Sequence, residues 1–91
     1  MSDQIIFVSS AFRHGCTEED IEQAIETKIY EGLLEGEDEI YAIIGFSASG
    51  NPIEVFYNII DEETIKIFHA MPLRKKIADQ MSMRSNNERY D

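Results

Sequence analysis

Apolar residues recur along the chain with two different periods, and each change of period marks a change of element. Ile5 to Val8 is a four-residue apolar run, short enough to be either a first strand or a turn. Thr17 is followed by Glu18, Glu19 and Asp20, a hydroxyl for the free amides of a first helical turn and carboxylates at the positive end of its dipole. A helix therefore starts at Thr17. Ile21, Ala24 and Ile25 continue it at spacings of three and four, while Glu18, Glu19, Glu22, Gln23 and Glu26 take the solvent side. From Tyr30 the period shortens towards two, which predicts a strand over Tyr30 to Leu34 that ends in the charged Gly36 to Glu39. Ile40 to Ser47 and Ile53 to Ile60, rich in β-branched and aromatic residues, flank Ala48-Ser49-Gly50-Asn51, where Gly50 can take the positive φ of a tight hairpin. Asp61-Glu62-Glu63-Thr64 forms the next turn and leads into a strand over Ile65 to Ala70. Pro72 then fixes φ for the first turn of a second helix, in which Leu73, Ile77 and Met81 recur four apart.

The order is helix, antiparallel meander, helix. Two-residue loops at Ser49-Gly50 and Glu62-Glu63 place Ile44 opposite Val55 and Ile59 opposite Lys66. One face then collects Ile40, Ala42, Ile44, Phe46, Ile53, Val55, Tyr57, Ile59, Phe68 and Ala70, with Lys66 as its only charge, and both helices should cover it. The other face collects Tyr41, Ile43, Gly45, Glu54, Phe56, Asn58, Ile65, Ile67 and His69, a mixed surface open for binding. The expected fold class is α+β: a three- to four-stranded antiparallel meander with an N-terminal and a C-terminal helix packed on one face. Residues 1–83 form one compact domain in this reading, and the polar segment 84–91 is a flexible tail.

Charge changes the picture more than bulk composition does. Eighteen acidic residues against eight basic ones give a net charge of −10, which repels nucleic acid from the molecule as a whole. Residues 1–65 hold 15 acids against Arg13 and Lys28, whereas residues 66–91 hold six bases against three acids. Such polarity creates a local basic site on an acidic body or holds the C-terminal part against the rest of the chain. No apolar run approaches the roughly 18 residues of a membrane span, and MSDQIIFVSS has no basic start, so no membrane association is expected and a cytoplasmic location is. The single cysteine, Cys16, has no disulfide partner, and two histidines 55 positions apart make no zinc motif, so no metal or cofactor is expected.

No nucleophile elbow, phosphate-binding glycine loop or EF-hand is present. What remains is a set of histidines and bases at the two helix junctions: Arg13-His14 before the first helix, and His69 with Arg74, Lys75 and Lys76 around the start of the second. An imidazole is suited to proton transfer near neutrality. Three cations at a helix N-terminus oppose its dipole, yet with the free amides of that turn they can hold a phosphate. Each feature also has a structural reading: His14 as a cap, His69 as an edge histidine, the bases as partners of the acidic first helix. Cys16 reads as a small buried thiol, and Glu54 as a minor candidate base if buried beside His69.

Phe12-Arg13-His14-Gly15-Cys16-Thr17-Glu18-Glu19-Asp20-Ile21 resembles the opening motif of BrnT-type toxins, and Ile67-Phe68-His69-Ala70-Met71-Pro72-Leu73-Arg74-Lys75-Lys76 resembles their closing strand and helix start. The resemblance spans most of residues 12–78, although Met71 stands where that family commonly has arginine. It implies a small RelE-like fold, a ribonuclease that cleaves messenger RNA and neutralisation by a DNA-binding antitoxin protein; a homo-oligomer is compatible with it. Carried over, His14, His69 and Arg74 are the catalytic candidates and Arg13, Lys75 and Lys76 the substrate-binding ones, for a transesterification in which the ribose 2′-hydroxyl attacks the adjacent phosphorus without need of a metal. The competing expectation, from a different class, is a non-catalytic acidic module that binds a basic protein partner.

Overall fold

The structure is a computed structural model that describes residues 4–34, 36 and 39–90, with the side chains of 83–90 left aside. Its elements are strand β1 (Gln4–Phe7), a 3₁₀ turn over Ser9–Phe12, helix α1 (Glu18–Glu26), strands β2 (Tyr30–Leu33), β3 (Tyr41–Phe46), β4 (Pro52–Asp61) and β5 (Thr64–Pro72), and helix α2 (Lys75–Tyr90). They build one five-stranded sheet in the order β1-β5-β4-β3-β2. The class is α+β, but the sheet is larger than the expected three or four strands and is mixed. β2 to β5 pair antiparallel in chain order, and β1 lies parallel beside β5, with Ile5 opposite Ile65 and Phe7 opposite Ile67.

α1 begins where its local chemistry dictates. Thr17 is the N-cap; its hydroxyl accepts from the Asp20 amide (3.1 Å) and the Asp20 carboxylate accepts from the Thr17 amide (3.0 Å), a reciprocal capping box. The other Asp20 oxygen accepts from the Ala48 amide at 3.1 Å and so ties the helix start to the β3–β4 hairpin. Ile21 and Ala24 are fully buried, and α1 lies so close to the sheet that a Cβ on Gly45 would stand 2.0 Å from the Ala24 carbonyl oxygen. Glycine at position 45 is a packing requirement.

The expected register is off by one between β3 and β4: Ile44 faces Glu54, and Ile43 faces Val55. The cause is the loop. The Ser47 amide donates to the Asn51 carbonyl and the Asn51 amide to the Ser47 hydroxyl, leaving three loop residues, Ala48, Ser49 and Gly50, with Gly50 at φ 87°. A one-residue slip exchanges faces, and the helices cover opposite sides of the sheet, not one side. Ile43, Val55, Tyr57, Ile67 and Ala70 pack under α1 with Ile21 and Ala24, whereas Ala42, Ile44 and Phe56 pack under α2 with Ile77 and Met81. The mixed face expected to be open is therefore closed. Between β4 and β5 the turn is as expected, with Asp61 opposite Thr64, but irregularities follow: Ile59 pairs Ile65, and Phe68 is the extra residue between the pairs Tyr57–Ile67 and Phe56–His69.

The C-terminal helix begins later than Pro72. That residue closes β5 opposite Ile53, and α2 starts at Lys75, with the Arg74 carbonyl accepting from the Ile77 and Ala78 amides. Leu73, Ile77 and Met81 share one apolar cluster, as their spacing requires. α2 runs to Tyr90, so the segment read as a tail is helical there, and its side chains and Asp91 fall outside the described residues. Among the described residues no helix is long and apolar enough to cross a membrane.

Candidate functional site

The site grows from one buried carboxylate. Glu54 lies mid-strand in β4 in a row with Ile44 and Met71, which takes its side chain to zero exposure in an apolar setting. An acid survives there only if every lone pair is answered. Glu54 Oε1 accepts the Arg74 backbone N–H at 3.0 Å; Oε2 accepts Arg74 Nε at 3.0 Å and Nη2 at 2.5 Å and meets His69 Nε2 at 2.9 Å. Burial acts to raise the Glu54 carboxyl, but the hydrogen bonds from His69 and Arg74 outweigh it and hold the group below its ordinary value. Glu54 is thus ionised, and the same contact keeps the Arg74 guanidinium charged, its pKa raised first by the hydrogen bond to Glu54.

An ionised carboxylate only accepts, so His69 Nε2 carries the proton in this contact and Nδ1 is the atom left to exchange one. Nδ1 makes no hydrogen bond with a described residue, and among these residues no buried side-chain nitrogen or oxygen lacks a partner, so Nδ1 reaches solvent. The ring is also fixed sideways. Phe56 stacks on it with centroids 4.4 Å apart and planes at 26°, leaving the His69 side chain 19% exposed.

His14 completes the group from a distant part of the sequence. The 3₁₀ turn before it is pinned to β5 at the bulge: the Ser10 hydroxyl donates to the Phe68 carbonyl at 2.6 Å, and the Val8 amide to the Ile67 carbonyl at 3.1 Å. Gly15, at φ 92°, then turns the chain into α1. The exposed His14 ring comes to 5.7 Å from that of His69, edge to face at 67°. Two imidazoles from opposite ends of the chain, a guanidinium and the carboxylate that orients two of them thus share one place.

The remaining candidates differ. Arg13 is exposed beside His14. Lys75 is exposed and paired with Asp79 one helical turn on (2.7 Å), and Lys76 is exposed with no ion pair among the described residues. None of the three joins the Glu54 cluster. Cys16 is buried, and burial with the nearby Asp20 charge pushes its thiol up, away from nucleophilic use. Among the described residues no three histidine, cysteine or acidic side chains are placed to hold a metal ion.

Next to His14 a cleft of about 210 Å³ opens between the start of α1, the β3–β4 hairpin and the end of β5. Glu54 is what the sequence undervalued. Its signal was a lone acid inside an otherwise apolar and aromatic strand, a place where charge is costly unless it is paired. No protein-family model, curated protein or solved structure matches the chain.

Proposed function

We propose that the protein is a small ribonuclease that cleaves RNA by transesterification, with His14 and His69 exchanging protons and Arg74 binding the phosphate. The observation that carries this reading is the 5.7 Å approach of the two imidazoles beside a guanidinium already oriented by Glu54. One histidine removes the proton of the ribose 2′-hydroxyl, the oxyanion attacks phosphorus, and the other protonates the departing 5′-oxygen. A pair of imidazoles serves both halves because one is neutral when the other is charged. Arg74 spends two of its five N–H donors on Glu54 and has three left for the phosphorane oxygens, on a side chain 36% exposed. The sequence resemblance to BrnT-type toxins supports the same chemistry and adds a partner, an antitoxin protein.

Incubation of purified protein with single-stranded RNA tests the reading. The expected products end in 2′,3′-cyclic phosphate, and His14→Ala lowers the rate at least about 100-fold, the low end of general acid–base contributions, with no change in thermal stability because the side chain is exposed. Cleavage that survives His14→Ala unchanged overturns the assignment. A second reading rests on the outer face of α1, where Glu18, Glu19, Glu22 and Glu26 are exposed and form no ion pair with a described cation. Such a face suits a basic protein partner, and binding to one with no RNA cleavage would favour it.

A further inference from the structure

We infer that the cleft beside His14 seats one nucleobase of the RNA, the base next to the cleaved phosphate, and that it prefers bases with an exocyclic amine over uracil. The inference rests on the ribonuclease reading for the word RNA, and on the cleft for everything else. At about 210 Å³ the space falls below the roughly 300–1,000 Å³ of sites that enclose drug-sized ligands, so it admits one ring system and not a dinucleotide. His14 lines it and also stands 5.7 Å from His69, so a base held there leaves its own phosphate at the imidazole pair.

The walls match a base more than a phosphate. Pro52 and Pro72 supply flat apolar surface, and Asp20, Ser49 and Asn51 supply polar edges. Asp20 is immobilised: one oxygen accepts the Thr17 amide and the other the Ala48 amide, and these bonds, led by that from Thr17, hold its carboxyl below the ordinary range. A fixed carboxylate repels a phosphate, which keeps the RNA backbone outside the cleft. It accepts only, so it rewards the amines of adenine, cytosine and guanine, whereas uracil offers it a single N3–H flanked by two carbonyl acceptors that it repels. The Asn51 side chain makes no hydrogen bond with a described residue, while its backbone closes the hairpin, so its amide is available to a ligand without cost to the turn. Single-stranded bases are read in this manner, by stacking and by their pairing edges.

The test combines titration of isotope-labelled protein with the four nucleoside 3′-monophosphates, followed by amide chemical shifts, and cleavage of RNA oligomers that vary one base. Expected are shifts at Gly15, Ser49 and Asn51, affinity for the uridine nucleotide at least about 5-fold weaker than for the others, the low end of one directed base contact, and loss of that difference in Asn51→Ala or Asp20→Asn. Unshifted outlying amides show that each variant is folded. Shifts elsewhere, or equal affinities untouched by both variants, overturn the cleft as a base site. Cleavage of RNA without cleft binding overturns the inference and leaves the ribonuclease reading standing; base-selective binding at the cleft without cleavage of any RNA overturns the ribonuclease reading and leaves the cleft as a nucleobase site.

Discussion

Replacing Glu54 by glutamine keeps the size of the side chain and removes its charge. In the folded protein the carboxylate is inaccessible to solvent and meets four donors, three on one oxygen and one on the other. An amide has a single oxygen, so whichever way it turns, its NH₂ faces at least one of those donors. Hydrogen bonds to a charged group contribute about 1.5–3 kcal/mol each. The Arg74 side chain is 36% exposed, however, so water takes over part of what Glu54 gave up. The net loss is about 2 kcal/mol, and at about 4–8 °C per kcal/mol for a chain of this size the melting temperature falls by roughly 8–16 °C. The pH dependence sharpens the test. Because the folded Glu54 carboxyl lies below its ordinary value of 4.5, its stabilisation is complete above that pH and is lost as the pH falls through the folded value. The gap between wild type and Glu54→Gln, measured by urea unfolding, should hold from neutrality to about pH 4.5 and narrow below it. Equal stabilities at pH 7, or a gap as wide at pH 3 as at pH 7, would refute the electrostatic account of this residue.

Two further outcomes follow from packing and hydrogen bonding elsewhere. Gly45→Ala sets a methyl group 2.0 Å from the Ala24 carbonyl, so α1 must move off the sheet; a loss of about 3 kcal/mol in urea unfolding is expected, at the upper end of overpacking costs, and an unaffected midpoint would contradict the close seat of that helix. Tyr57 donates to Glu31 Oε2 at 2.5 Å, stacks on Tyr41 and has its phenol pushed far up, first by burial and then by Glu31. Tyr57→Phe should cost about 1–2 kcal/mol, and the wild-type protein should show one tyrosine that resists ionisation in alkaline ultraviolet titration, absent from the variant.

What could be read in the sequence was local. The capping box at Thr17 and Asp20, the positive φ at Gly50 and the fourfold spacing of Leu73, Ile77 and Met81 each need only a few neighbouring residues, and each is found. Apart from the start of α2, which falls at Lys75 and not at Pro72, the failures concern strand pairing. β1 pairs with a strand some 60 positions later, which no local pattern announces. The hairpin takes three loop residues in place of two, and that single residue moved Ile43 and Ile44 to exchanged faces and turned an open surface into a second core. The same slip hid the site. His14, His69 and Arg74 stand out as polar groups at helix junctions, whereas on a face read as open Glu54 is only a minor candidate base. The irregularities at Ile60 and Phe68 cancel, so His69 stands opposite Phe56 as plain alternation requires; what alternation does not announce is the Phe68 carbonyl that anchors Ser10.

The Glu54 carboxylate fastens the end of β5 and the start of α2 in one contact set, so the residues proposed for chemistry also hold the molecule together. A descendant that had lost its catalytic activity would still be under pressure to keep Glu54, His69 and Arg74, since discarding Glu54 or Arg74 leaves a charge stranded and discarding His69 leaves a buried carboxylate one donor short. Retention of those three in related chains is therefore a poor record of activity. His14, exposed and hydrogen-bonded to no described residue, answers to no such demand. Its presence or loss is the trace by which working and silent lineages can be told apart.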